Sequence, residues 1–185
     1  HSSGKMGFAL AKNAMLRGAE VTLVMGKCDS EPPVFVNTVK VQSAKDMYDA
    51  VIERADSMDI IVKAAAVADY RPKSVSSEKV KKQDGNMSIE LERTDDILKT
   101  LGERKNGQFI CGFSMETENM LENSRKKLEK KNCDMIVANN LKQDGAGFGG
   151  NTNIVTIITK DDEVQLEKMT KDEVAEKIFD FILSR

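Results

Sequence analysis

Apolar positions recur at helical spacing from the start of the chain. In "GKMGFALAKNAMLRG" (4–18), Phe8, Ala11 and Met15 fall on one face with Leu10 and Ala14 beside them. Gly18 closes the run as a C-terminal glycine does. Short β-rich runs follow at 20–25 ("EVTLVM") and 36–41 ("VNTVKV"). "SAKDMYDAVIERADSM" reads as an amphipathic helix with Ser43 as its N-cap. "DIIVKAAA" (59–66) is a buried strand running into small residues, and a polar, lysine-rich loop covers 71–86. Beyond it the pattern predicts a strand at 87–92, a helix at 95–104, a strand at 108–113, a charged helix at 117–131 and the strand "DMIVANN". A glycine-rich loop spans 141–152. "NIVTIIT" and "EVQLE" then pair as a hairpin before a capped terminal helix, "TKDEVAEKIFDFILSR".

Strands alternating with helices imply parallel crossovers and a sheet covered on both faces. The expected fold is therefore α/β, a Rossmann-like three-layer sandwich with a mostly parallel sheet and a C-terminal hairpin. The opening helix lacks the strand that would complete its crossover unit, so one more strand is expected ahead of His1. With no internal repeat and no linker, 1–185 reads as a single domain. Such sheets bind ligands beyond the carboxyl ends of their strands. That rule selects the loops after residues 25, 63, 113 and 138.

Composition narrows the chemistry. Lys and Arg number 28 against 30 Asp and Glu, a net charge of -2 that gives no general attraction to nucleic acid or to an anionic membrane. No apolar stretch approaches the ~20 residues of a membrane span. The three cysteines form no CxxC pair, which suggests free thiols in a reducing compartment, the cytoplasm. His1 is the one histidine, so a Ser-His-Asp triad or a zinc centre is not expected.

Five stretches remain as candidate chemistry. "SSGKMG" can present helix N–H groups and the hydroxyls of Ser2 and Ser3 to an anion; it can equally be a plain serine N-cap. In "AAAVADYRP", small residues at a strand end leave room for a flat ring and Asp69 can accept hydrogen bonds; the other reading is a tight turn with a surface salt bridge. "EKVKKQDG" can bring a lysine over phosphates or can be solvated surface. Lys127 and Lys131 share a helix face at i, i+4, again either functional or solvated. "DGAGFGGNTN" is a phosphate cradle or a surface turn. No serine or cysteine has a base partner, so catalysis would rest on charge neutralisation and positioning of a phosphate-bearing substrate.

Taken together, "HSSGKMG", "AAVADYRP", "EKVKKQ", "CGFSMET" and "CDMIVANN" resemble the phosphopantothenoylcysteine synthetase family, in order and with similar spacing over nearly the whole chain. The resemblance implies a ligase of coenzyme A synthesis. In bacteria it is usually the C-terminal half of a bifunctional protein, behind a flavin-dependent decarboxylase. It further implies CTP with Mg²⁺, the substrates 4'-phosphopantothenate and L-cysteine, and a homodimer paired through the 153–167 hairpin or an edge strand. By resemblance, Lys79 is the catalytic lysine that contacts the nucleotide phosphates and supports an acyl-cytidylate. Ser2, Ser3, Gly4, Lys63, Ala64, Ala65 and Asp69 border the nucleotide, and Ala66 lies near the acyl group. Phe113 is the aromatic of the cytidine pocket, Lys127 and Lys131 approach ribose and base, and 73–86 is a flap. The family's asparagine before "HSSGKMG" would precede His1, and "RTDDI" (93–97) stands where bacterial relatives often have "KNPDI". Two other readings stay open: a dinucleotide-binding oxidoreductase, although GxGxxG is absent, and a non-catalytic nucleotide-binding domain.

Overall fold

The computed structural model describes residues 3–28, 31–76, 78–81, 85–116, 118–140 and 150–185. Helix α1 (Lys5–Leu16) ends as its pattern predicts: Gly18 takes φ 86°, and its N–H donates to Met15 O at 2.9 Å. Its start differs from a serine cap. Gly4 occupies the N-cap position at φ 73° and, as glycine, contributes no side-chain cap. Strands β1 (Thr22–Met25) and β2 (Asn37–Lys40) pair in parallel. Helix α2 (Ala44–Ala55) follows a full capping box between Ser43 and Asp46.

The central sheet is built from β3 (Ile60–Lys63), β6 (Phe109–Glu116), β7 (Met135–Asn140), β9 (Val155–Thr159) and β10 (Glu163–Gln165). Its order is β10-β9-β7-β6-β3. β3, β6 and β7 run parallel; β9 and β10 are antiparallel and form the expected hairpin. Between these strands lie α3 (Ile97–Arg104) and α4 (Met120–Lys130), and α5 (Lys171–Leu183) closes the chain with a capping box between Thr170 and Glu173.

Strand alternation sorts the core onto the two faces. Cys111, Met135, Val137, Val155 and Ile157 meet Ala9 and Leu10 of α1 and Val174, Ala175 and Ile178 of α5. Ile110 and Ile136 meet Ala55, Ile97, Leu98, Leu101 and Leu128 of α2, α3 and α4. The α/β three-layer expectation therefore holds.

Three elements depart from the pattern. β1 pairs with β2 and not with β3, so the described parallel strands fall into two pieces whose free edges line one cleft. "DIIVKAAA" leaves the sheet at Lys63, the last residue of β3 paired with β6, because the alanines beyond it have little β preference. The strand expected at 87–92 shortens to β5 (Leu91–Arg93). It pairs antiparallel, as a ribbon off the main sheet, with β4 (Tyr70–Pro72), which overlaps the start of the stretch expected to be loop. Ion pairs Arg71–Glu92 and Lys73–Glu90 cross that ribbon, local charge pairing that an apolar count does not register. Strands β8 (Thr152–Asn153) and β11 (Met169–Thr170) pair beside the start of α5.

Candidate functional site

A cleft of about 2450 Å³ opens along the carboxyl ends of β1, β3, β6 and β7. The loops after residues 25 and 63 contribute to its wall as the strand-end rule requires; β6 and β7 run on past 113 and 138, and contribute Phe113, Met115 and Asn139 from the strands themselves. This volume exceeds the ~300–1,000 Å³ of an ordinary ligand pocket, because the space between the free edges of β1 and β3 is continuous with it.

Most of the expected site residues meet here. Ser3 and Gly4 border the cleft at the start of α1; Ser2 lies outside the described residues. Lys63, Ala64, Ala65, Ala66 and Asp69 form the wall beyond β3, and Phe113, Lys127 and Lys131 the wall beyond β6 and α4. The polypeptide after β3 is held locally: Thr94 donates through N to Asp69 O at 3.0 Å and through Oγ1 to Ala68 O at 2.6 Å. Those bonds root the β4–β5 ribbon at the rim. Lys79, on the exposed segment between β4 and β5, does not line the cleft. The expected flap contributes only exposed residues at 73–76, 78–81, 85 and 86. The glycine-rich stretch 141–149 lies outside the described residues.

The lysines are arranged unequally. Lys127 Nζ donates to Phe113 O at 2.9 Å, which fixes its position over β6. Lys131 pairs with Asp96, the N-cap of α3, which also accepts from Lys99 N at 2.9 Å. Burial works against ionisation of Asp96, but the Lys131 ammonium and the Lys99 N–H hold its carboxyl below the usual value. Lys63 has neither kind of partner: its ammonium makes no hydrogen bond or ion pair among the described residues. Burial, then repulsion from Lys127, push it below the ordinary lysine range, against weaker pulls from Asp96 and Asp69. The result is a half-buried cationic strand end suited to an anion.

Sequence reasoning missed Asp96, although an acidic residue at the start of a predicted helix is a cap signal. It also missed Lys5, Asn139, Asn153 and Lys171 on the cleft wall, which come together only through the β7–β9 and β8–β11 pairings. No group of three or more His, Cys, Asp or Glu able to hold a metal occurs among the described residues. Cys111 and Cys133 are free thiols. Burial raises the thiol pKa of Cys111 and Cys133, so neither is an activated nucleophile.

Known proteins share this sequence and shape. The chain is 52% identical over 161 residues to the coenzyme A biosynthesis bifunctional protein CoaBC of Bacillus subtilis, covering 86% of this chain and 40% of the relative. It is 42% identical to the protein of the same description from Vibrio cholerae, covering 98% of this chain and 46% of the relative. The chain thus spans about half or less of those relatives' length. A crystal structure of the C-terminal domain of a CoaBC protein superposes with a TM-score of 0.83 at 48% identity, covering 98% of this chain and 82% of that one. No described helix is long and apolar enough to cross a membrane. The family described as the DNA/pantothenate metabolism flavoprotein C-terminal domain matches residues 1–185, and the chain belongs to that family.

Proposed function

We propose that this protein is a phosphopantothenate–cysteine ligase that uses CTP and acts in coenzyme A biosynthesis. The observation that carries the reading is Lys63. A half-buried ammonium with no bonded partner among the described residues, beside Lys127 and Lys131, is costly unless an anion completes the site. A nucleotide polyphosphate fits that demand, and the small residues Ala64–Ala66 leave space for its sugar and base. The names of the relatives in coenzyme A biosynthesis and the family resemblance support the same reading. A decarboxylase region accompanying this one is part of the proposal.

In the proposed reaction the substrate carboxylate attacks the α-phosphorus of CTP. The bond to the β-phosphate breaks, and pyrophosphate leaves an acyl-cytidylate. The amine of cysteine then attacks the acyl carbon, the bond to the cytidylate oxygen breaks, and CMP departs while the amine loses its proton. Lys63, Lys127 and Lys131 hold and neutralise the nucleotide, Phe113 bounds the base, and Ala66 lets the acyl group approach. Mg²⁺ enters as part of the nucleotide substrate, held mainly by phosphate oxygens. CTP raising the melting temperature, followed by pyrophosphate release with 4'-phosphopantothenate, tests the reading. A shift with NAD(P)H in its place would favour a dinucleotide-binding oxidoreductase.

Lys63 also links affinity to pH. A protonated Lys63 favours the anion, so CTP affinity is expected to fall as pH rises, beginning below the range in which an ordinary lysine titrates. Lys63→Met should flatten that profile. Its effect on stability has the opposite sign. Between the depressed folded value and the ordinary unfolded value, the unfolded chain binds the extra proton, so stability rises with pH and a charged Lys63 opposes folding at neutrality. Lys63→Met should therefore melt higher while binding CTP less tightly. Titration calorimetry across pH, with thermal melts, checks both; an unchanged pH profile would remove Lys63 from the site.

The protein is further proposed to be a homodimer. Apolar exposure favours the β4–β5 ribbon over the 153–167 hairpin as the contact: Tyr70 is 52% exposed, Leu91 55% and Ile89 60%, whereas Val164 is the large apolar residue exposed on the hairpin. A two-stranded ribbon with such a face is unstable uncovered. Light scattering is expected to give a dimer, and Ile89→Lys with Leu91→Lys a monomer. A dimer that survives both changes would return the contact to the hairpin.

A further inference from the structure

The second step of the proposed reaction leaves one proton without a destination. Cysteine arrives with its amine largely protonated at neutral pH, and that proton must leave before the nitrogen can attack. Histidine, the commonest acceptor, does not occur among the described residues. The acids that act on the β3 end are Asp96, already committed to Lys131 and to Lys99 N, and Asp69. A carboxylate is a weak acceptor for an ammonium proton. The lysines divide differently. Lys127 is tied to Phe113 O and Lys131 to Asp96, so each holds its proton in a fixed bond. Lys63 has no such bond among the described residues. It closes β3 opposite Gly112 of β6, directly before Ala64–Ala66 on the cleft wall. Four charged groups face it: Lys127 from the last turn of α4, Lys131 from its C-cap, Asp96 from the N-cap of α3 and Asp69 from the segment beyond β3. Burial and Lys127 outweigh the two carboxylates, so Lys63 holds its proton less firmly than an ordinary lysine does.

We propose that Lys63, the untethered lysine of this cluster, is the base of the second step and takes the proton of the cysteine ammonium beside the acyl-cytidylate. The role rests on the ligase reading. One side chain serves both steps because the charge around it changes between them. With the triphosphate of CTP in place, negative charge keeps Lys63 protonated, and its ammonium neutralises the nucleotide. Pyrophosphate then departs with most of that charge, while Lys127 and Lys131 stay. Lys63 gives its proton to the departing pyrophosphate and is left as a neutral amine. The small side chains of Ala64–Ala66 leave room beside it for the acyl group and the incoming nitrogen. The lone pair of Lys63 takes one N–H proton from cysteine. The freed nitrogen pair forms the bond to the acyl carbon, and the bond from that carbon to the cytidylate oxygen breaks, its electron pair leaving with CMP. The second proton that the nitrogen must lose goes to the CMP phosphate. Lys63, again an ammonium, meets the next triphosphate.

Rapid-quench measurement of CMP release, on adding cysteine to protein loaded with the synthetic acyl-cytidylate of 4'-phosphopantothenate, isolates the second step from CTP binding. The wild-type rate is expected to rise with pH to a plateau, with a midpoint below the ordinary lysine range. Lys63→Arg keeps a cation that cannot give up its proton. It should slow transfer to cysteine by about a hundredfold and lose the plateau. Hydroxylamine is uncharged at neutral pH and needs no base before it attacks, so replacing cysteine with it should recover most of the loss. If Lys63→Arg does not fold, Lys63→Met gives the same comparison of the two nucleophiles. A folded variant that transfers to cysteine at the wild-type rate would overturn the base and leave the ligase reading standing. Equal losses with cysteine and with hydroxylamine would also overturn it and make Lys63 a positioning residue. A wild type that does not transfer the acyl group to cysteine would overturn the ligase reading and the base together.

Discussion

Lys79→Gln is expected to reduce pyrophosphate release from CTP and 4'-phosphopantothenate, measured with no cysteine present, by about a hundredfold or more, with the melting temperature unchanged. Lys79 is exposed and has no hydrogen bond or ion pair among the described residues, so the change should leave the fold intact. Its proposed work comes only when the segment between β4 and β5 closes. That segment is anchored at the cleft rim: Thr94 bonds to Ala68 O and Asp69 O, and the Arg71–Glu92 and Lys73–Glu90 pairs carry the ribbon outward. Lys79 lies six residues past Lys73, a reach of up to about 20 Å of extended chain, enough to return its ammonium to the cleft. Pyrophosphate departure concentrates negative charge. A lysine delivered by closure meets that charge more fully in the transition state than in the ground state, so kcat should fall more than CTP affinity. Lys81→Gln, two positions on and also exposed, should cost little. Near wild-type release by the Lys79 variant would return this lysine run to solvated surface.

The parts of this molecule that were legible in the sequence are those whose signal is local. Gly18 marks the end of α1, Ser43 and Thr170 announce α2 and α5, and apolar runs locate β6, β7 and β9. The strand-end rule then finds the cleft, because β1, β3, β6 and β7 all turn their carboxyl ends to it. What escaped was non-local. The β4–β5 ribbon depends on two short segments about 20 residues apart whose pairing rests on charges. The buried Asn153 and Lys171 look like ordinary polar residues of a loop and a helix start until the β8–β11 ladder joins them. Lys63 was picked out by resemblance, but its lack of a bonded partner is a property of the packing. The reading of "SSGKMG" as a serine N-cap failed for a stereochemical reason: the N-cap position takes the left-handed conformation, which Gly4 adopts without strain.

Gly102→Ala is expected to destabilise the protein by about 3 kcal/mol or more, a fall in melting temperature of roughly 6–12 °C for a chain of this size, and to weaken CTP binding with it. Gly102 faces the end of α4 so closely that an added Cβ would lie 1.9 Å from Lys131 O and 2.8 Å from its carbonyl carbon. Both are backbone atoms, so relief requires α3 and α4 to separate. The contact is held from the other side by Asn132, a left-handed residue at φ 48° whose Nδ2 donates to Gly102 O at 2.9 Å. Separation would break that bond and withdraw Lys131 from Asp96, which caps α3 at the cleft. One methyl group thus reaches the nucleotide wall through the backbone of Lys131, without touching its ammonium. Gly7→Ala supplies the opposite sign. Gly7 lies inside α1 with nothing within 4 Å of an added Cβ, so alanine should raise stability by up to about 1 kcal/mol through helix preference alone. Thermal melts of both variants decide the matter: if Gly102→Ala melts like wild type, the α3–α4 contact is looser than the close approach drawn here, and Lys131 is not positioned by it.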